Sequence, residues 1–384
     1  MKIGIPCEIA EGETRVAIVP AMVSELATLD AEILAERGAG AGASFSDEEF
    51  EKAGAKLVDS APDLYGQADV ILKVRPPSLN SGAEIDMIRD GSTLVGMLSP
   101  TTNTELVEKL LAKKITAFSM EFMPRITRAQ SMDVLSSMST VAGYKAVLVA
   151  TQYFGKFFPL LMTAAGTIPP AGVFVLGAGV AGLQAIATAK RLGGKVEAFD
   201  VRPAVKEQIE SLGARFVEME LPEDVETDSG YAKEVSAEFI KKELEAIGSR
   251  LPKTDIVIST AQVFGKRAPI LLTEEMVKTM RPGSVIIDLA AEQGGNCELS
   301  EPGKLVEKYG VSIYAPINLA ATMPTHASQM YSKNVTNFVK HLYQAEDRKL
   351  DFEDEITRGA CLCSNGELLN EYVKQSMSNV GVTS

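Results

Sequence analysis

The sequence predicts an α/β protein built from two Rossmann-like, doubly wound parallel-sheet domains with a cleft between them. Three observations lead there. An apolar run, Val173 to Leu176, feeds directly into Gly177-Ala178-Gly179-Val180-Ala181-Gly182, and an acid, Asp200, closes the next strand-like stretch. The first third of the chain alternates short apolar strands with helical stretches, the pattern of a parallel sheet. The second half offers six strand-like runs, enough for a complete doubly wound sheet.

In the first third the expected strands are Ile3 to Ile5, Glu32 to Leu34, Val70 to Val74, Thr93 to Met97 and Ile115 to Phe118. Gly38 to Gly42 and Pro76-Pro77 punctuate them. The Gly38 to Gly42 run has no distal acid and no well-placed strand, so it reads as a loop. From Ser136 to Met162 turn residues are scarce and helical periodicity is strong, which predicts a long connecting helix.

The glycines at 177, 179 and 182 have separate physical tasks. The first allows a tight strand-to-helix turn, the second lets the backbone approach a pyrophosphate, and the third lets the helix pack closely on the strand. The next helix, read as Leu183 to Leu192, ends at Gly193-Gly194 with Lys190 and Arg191 in its last turn. Its N-terminus is an anion site by virtue of free N–H groups and the helix dipole. Asp200 stands where a ribose-binding carboxylate belongs, accepting from a 2′-hydroxyl and repelling a 2′-phosphate, so NAD(H) is favoured over NADP(H). Arg202 could pair with a 2′-phosphate or stack on the adenine.

Further strands are expected at Arg215 to Val217, Asp255 to Ser259, Val285 to Asp288 and Val311 to Tyr314. Between them, Glu218 to Glu234 is a long acidic stretch containing Gly230-Tyr231, read as a lid. Ser328 to Tyr343 places Tyr331, Val335, Phe338, Val339 and Leu342 on one helical face, predicted to pack back on the first domain. The expected organisation is therefore a discontinuous first domain (1–134 plus 322–384), a linking helix (135–165) and a Rossmann domain (166–321).

Composition excludes several classes. The 384 residues are 46% hydrophobic and 23% charged, the balance of a globular protein. Net charge of −13 without a basic patch argues against nucleic acid as a partner. No run of about 20 unbroken apolar residues, the length that spans a bilayer, is present, and the N-terminal residues lack the apolar core of a secretory signal. Cys7, Cys297, Cys361 and Cys363 fit neither zinc nor CxxC spacing and read as free buried thiols of a reducing cytoplasm. With only His326 and His341, a metal site built on imidazole is not expected.

The chemistry turns on Pro124 to Asp133, where two guanidinium groups, an amide and a carboxylate fall within ten residues. A carboxylate with an amide can satisfy the donors and acceptor of a nicotinamide carboxamide in one orientation. Arg125 to Asp133, continuing into Leu135-Ser136-Ser137 and Ala142-Gly143-Tyr144, resembles the NAD(H)-binding component of proton-translocating nicotinamide nucleotide transhydrogenases. The resemblance runs nearly end to end, through Met1 to Pro6, Gly12 to Ala17, Pro169 to Ala171, Gly230 to Lys233, Pro282 to Leu289 and Gly294 to Cys297. Met138 and Ala321-Thr322 depart from the family pattern.

The resemblance implies that Arg125, Gln130, Asp133 and Ser136 orient the nicotinamide and that a loop bearing Tyr231 closes over the nucleotide. It places Gly177, Ala178, Gly179, Val180 and Gly182 at the pyrophosphate, Asp200, Val201 and Arg202 at the adenosine, and Gly230, Ala261 and Gln262 elsewhere on the cofactor. It implies a Si/Re-type enzyme, active only with partners: NADH bound here, NADP(H) on a partner subunit, and proton movement in membrane-spanning subunits. A homodimer, peripheral on the cytoplasmic face of the membrane, is implied too. Because no hydrophobic anchor is evident, a separate membrane subunit is expected.

Alanine dehydrogenases share the opening segment, and Arg15 and Lys73 match their pyruvate-binding positions. Their catalytic histidine, due near Met97 to Ser99, is missing, and their catalytic aspartate is replaced by Glu292. Deamination needs groups that handle protons, whereas hydride passing between two nicotinamides needs only positioning. An amino-acid dehydrogenase and a non-catalytic NAD-sensing module remain the alternatives.

Overall fold

The computed structural model describes residues 1–80, 83–219, 237–263, 265–344 and 348–380. They divide into two compact units, Met1–Met138 with Ala320–Ser384, and Ser139–Leu319.

The sheet of the first unit runs, in order, Glu367–Leu368, Cys361–Ser364, Thr116–Ser119, Thr93–Gly96, Val70–Leu72, Lys2–Ile5, Glu32–Glu36 and Lys56–Val58. Lys2–Ile5 lies near the middle, pairing in parallel with Glu32–Glu36 on one side and Val70–Leu72 on the other. The chain thus winds outward one way and then the other, as in a doubly wound fold. Three of these strands were not foreseen. Lys56–Val58 has three residues, and Cys361–Ser364 and Glu367–Leu368 are antiparallel additions from the C-terminal region of the chain. Short edge strands carry too few residues for a period-2 signal.

The Pro324–Tyr343 helix belongs to this unit. Tyr331, Val335, Phe338 and Val339 are fully buried, with the Phe338 ring edge-on to Phe118 at 5.4 Å. Ser328 and Ser332 accept hydrogen bonds from the Val16 and Val19 N–H groups, and Tyr331 donates to the Lys73 carbonyl. These contacts tie a late helix to the first strands and make the unit discontinuous in sequence.

The second unit's sheet runs Arg215–Phe216, Lys195–Phe199, Gly172–Leu176, Ile256–Ser259, Val285–Asp288, Val311–Tyr314 and Leu305–Lys308. All pairings are parallel except that of the last strand, an antiparallel edge missed in the sequence. The strand order reverses between Gly172–Leu176 and Ile256–Ser259, so the switch point lies where these two strands end.

The connecting helix spans Val134–Tyr153, ending well before Met162 because Gly155 and Pro159 come next. It is, among the described residues, the one helix long and apolar enough to cross a bilayer, although scattered polar residues interrupt its apolar run. Ala146, Val147 and Ala150 are buried in the second unit's core beside Val173, Val175 and Ile186. Its apolar composition therefore serves packing. Gly143 explains how close that packing is: a Cβ there would sit 2.1 Å from the Ala181 carbonyl oxygen. Beyond the helix, Leu161–Thr163 and Gly166–Ile168 form a separate hairpin.

Candidate functional site

The glycine turn comes after the central strand of the second unit, and its three glycines have three different surroundings. Gly177 has φ +90° and would bring a Cβ within 2.8 Å of Thr260 Oγ1, so both handedness and space require glycine. Gly182 would place a Cβ 1.9 Å from the Gly177 carbonyl oxygen, closing the helix onto the strand end. A Cβ on Gly179 would meet nothing within 4 Å. Space is thus open at the N-cap of the Val180–Arg191 helix, whose first N–H groups have no intrahelical acceptor. The helix begins at Val180 rather than Leu183, so the exposed Val180 lies in the first turn that faces this space.

Asp200, at the end of the neighbouring strand, is 9% exposed. Its carboxylate accepts from the Ala178 N–H at 2.7 Å, the Arg202 N–H at 2.9 Å, and Nε and Nη2 of Arg202 at 2.9 Å each. Burial pushes this carboxyl up, but the Arg202 and Ala178 hydrogen bonds outweigh it and hold it below the usual range. The bond to Asp200 correspondingly raises the Arg202 guanidinium. Neither expected role of Arg202 accounts for this pairing. The two backbone donors are fixed, whereas the half-exposed guanidinium can be exchanged for ribose hydroxyls. Val201 lies between the pair and packs on the core.

Across the switch point, Thr260 Oγ1 lies within hydrogen-bond distance of the Leu176 and Gly177 carbonyls. Ala261 is held on both sides by Asn296, whose Oδ1 accepts from its N–H and whose Nδ2 donates to its carbonyl. Gln262 is exposed and donates to the Leu289 carbonyl. Sequence reasoning missed Asn296, which is fully buried and fully hydrogen-bonded; its only signal was its place in Gly294-Gly295-Asn296-Cys297. Gly230 and Tyr231, with the acidic stretch from 220 onward, lie outside the described residues.

The segment Arg125 to Ser136 belongs to the first unit, with a 3-10 turn over Thr127–Met132. Arg125 and Gln130 are exposed, and among the described residues their side chains have no hydrogen-bond partner. Asp133 and Ser136 are engaged with each other: the carboxylate accepts from the Ser136 N–H at 2.9 Å and Oγ at 2.6 Å. Asp133 is therefore also the N-cap of the Val134–Tyr153 helix, a structural role the sequence did not reveal. Arg128 pairs with Asp354 at 3.3 Å, and Asp354 caps the Glu355–Ala360 helix and meets His341 at 2.8 Å. Although burial pushes Asp354 up, the Thr357 N–H, His341 and the Ile356 N–H outweigh it and bring the carboxyl down to about 2.

Arg15 and Lys73 are both buried in the first unit and already paired. Arg15 binds Glu13 at 2.6 Å, and Lys73 binds Glu84 at 2.6 Å and Glu8 at 3.3 Å. Glu292 accepts from the Asn318 N–H. All four cysteines are free, as expected, but Cys7 is only partly buried. Burial pushes the thiols up, to about 12 for Cys7 and Cys361 and about 11 for Cys297 and Cys363.

Residues 4–142 match the alanine dehydrogenase/PNT N-terminal domain, and residues 146–371 the alanine dehydrogenase/PNT C-terminal domain. The chain belongs to the alanine dehydrogenase/PNT family. It is 50% identical over 376 residues to the first of the chains that make up NAD(P) transhydrogenase subunit alpha of Rhodospirillum rubrum, covering 96% of this chain and 98% of that one. The crystal structure of transhydrogenase from Sinorhizobium meliloti superposes with a TM-score of 0.87 at 43% identity, covering 96% of this chain and all of that one. Alanine dehydrogenase of Methanococcus maripaludis is 31% identical over 384 residues, covering 98% and 96%. Within the family the chain thus stands much nearer to transhydrogenase alpha subunits than to alanine dehydrogenases.

Proposed function

We propose that this chain is the NAD(H)-binding subunit of a proton-translocating NAD(P) transhydrogenase and passes hydride from NADH to NADP⁺ held by a partner subunit. The observation that carries the reading is the 50% identity along almost the whole of a transhydrogenase alpha chain, against 31% for an alanine dehydrogenase. The residues present fit the dinucleotide. Open space at Gly179 and the free N–H groups of the first helical turn suit a pyrophosphate held by Gly177 to Val180, with Gly182 closing the turn. Asp200 and Arg202, next to Val201, take the adenosine end, and Ala261 and Gln262 flank the switch point. Gly230 and Tyr231 cover the nucleotide.

When bound, the nicotinamide supplies the transferable hydride. The chain's task is orientation: Gln130 and Arg125 offer unengaged side chains, and Asp133 with Ser136 forms a fixed pair at a helix start. No side chain has to move a proton, which accords with Met97, Leu98 and Ser99 standing where a deaminating enzyme needs histidine. Transfer is of the Si/Re type and occurs only in the complex, with proton translocation in membrane-spanning subunits that hold this chain at the cytoplasmic face.

The chain acts as a homodimer. The Leu161–Thr163 and Gly166–Ile168 hairpin supports this, because two-stranded ribbons are marginal alone and Leu160, Met162 and Ile168 leave 52%, 79% and 38% of their surface exposed. Light scattering on the purified chain checks the dimer, and a monomer at micromolar concentration counts against it.

The decisive measurement mixes the chain with an NADP⁺-loaded partner subunit and tracks label from the reduced nicotinamide of NADH into NADPH. Transfer is expected only with both proteins present. Turnover of L-alanine with NAD⁺ by the chain alone would sink the proposal in favour of the amino-acid dehydrogenase. NADH binding and complex formation without transfer would favour a sensing module.

A further inference from the structure

The loop carrying Gln130 and Asp133 is held from behind by two asparagines. Asn334 and Asn337 lie three residues apart on the Pro324–Tyr343 helix, so they share a face, and both donate through Nδ2 to one acceptor, the Ser131 carbonyl, at 2.8 and 3.1 Å. Ser131 is the residue directly after Gln130. Convergence of two side-chain amides on a single main-chain carbonyl of a short 3-10 turn is more than the turn's own stability calls for.

The arrangement also carries a cost. Asn334 is 7% exposed, and its Oδ1 is a buried acceptor with no hydrogen-bond partner among the described residues. Turning the amide over does not relieve this, because oxygen would then face the Ser131 carbonyl and the clamp would be lost. A buried acceptor left unpaired is unfavourable, and it persists where the surrounding structure derives something from the orientation. Two further ties bracket the same turn: Arg128 to Asp354 before Ser131, and Asp133 to Ser136 after it. Main chain is thus pinned at three points, while Arg125 and Gln130 remain exposed.

We infer that Asn334 and Asn337 are positioning residues for hydride transfer, fixing the Ser131 carbonyl so that Gln130 and Asp133 present their polar groups in one geometry. The inference rests on the proposed transhydrogenase reading. Both asparagines act through the loop and need not touch the nucleotide. Their removal therefore affects the rate of transfer more than the affinity for NADH.

Four variants test this in the full chain assembled with its partner subunits: Asn334→Ala, Asn337→Ala, their double, and Asn337→Asp. The last keeps the side chain's size at the more exposed position and removes only the donor. Single-turnover hydride transfer should fall about tenfold in each single variant and about 100-fold in the double, the scale of a loop displaced by about 1 Å, with NADH affinity changed less than about threefold. Trypsin provides a readout independent of the reaction, since Arg125 and Arg128 are exposed in the loop. Cleavage after Arg128 should accelerate in every variant while the bulk of the chain stays resistant. Equal losses of rate and affinity, or unchanged rates in Asn337→Asp and the double, would overturn the inference. If the unaltered chain transfers no hydride, the functional reading fails, and unchanged cleavage in the variants still disposes of the clamp separately.

Discussion

The first strand of each unit, Lys2–Ile5 and Gly172–Leu176, occupies the same place in the same strand order, flanked by its second and fourth strands. The residues just beyond the strand differ. In the second unit Leu176 leads into three glycines, the helix N-terminus stays open, and the Gly179 position has free space around it. In the first unit Ile5 leads into Pro6, Cys7 and Glu8, and the Glu8 carboxylate takes the N–H groups of Val74 and Arg75, just past the end of the fourth strand. Lys73 then bridges Glu8 and Glu84, with Tyr65 donating to Glu84. One switch point offers N–H groups to an outside anion; the other satisfies them with a carboxylate of its own. Shared topology thus gives two possible anion sites, and the residues at the strand ends decide which one is available.

The largest expected effect is at the closed switch point. Lys73→Met keeps the stem but strands Glu8 and Glu84, whose side chains are 3% and 5% exposed, and breaking such a buried pair should cost about 3–5 kcal/mol. Denaturant unfolding measures it; a loss below about 1 kcal/mol would show that the carboxylates do not depend on the cation. Next comes Gly182→Ala in the open switch point. Its Cβ would overlap the Gly177 carbonyl, so the helix must move, at about 3 kcal/mol, the upper end of ordinary overpacking. Both the unfolding midpoint and NADH affinity should drop together. The smallest and sharpest is Gly179→Ala. With φ −74° and no neighbour within 4 Å, the fold should tolerate it to within about 0.5 kcal/mol. NADH affinity should nonetheless weaken about tenfold, or 1.4 kcal/mol, because the methyl group enters space meant for phosphate. Unchanged affinity would remove the basis for calling this switch point open to a ligand.

Much of this contrast was legible in the chain. The glycine spacing, the strand before it and Asp200 after it are local features, each dictated by backbone geometry within a few residues, and the structure places them together. The short strands Lys56–Val58, Leu305–Lys308 and Glu367–Leu368 were not legible, because each depends on a longer neighbour for its pairing. Asp133 read as a nicotinamide ligand and proved also to be a helix cap, since the same carboxylate next to an apolar helical run serves either purpose. Asn296 and Asn334 escaped notice: nothing in an isolated asparagine announces that its partners are 35 and 203 residues away.

The sequence by itself determined the doubly wound class, the dinucleotide turn and the family, because these derive from hydrophobic period, glycine conformational freedom and motif order. Tertiary structure alone decided which charges meet. It set Arg202 on Asp200, closed the first unit's switch point with Glu8 and Lys73, and ran a late helix behind the Arg125 to Ser136 loop. The physical reason is range: propensity and pattern act over one or two turns of chain, whereas a hydrogen bond between distant residues exists only once packing has brought them within about 3 Å.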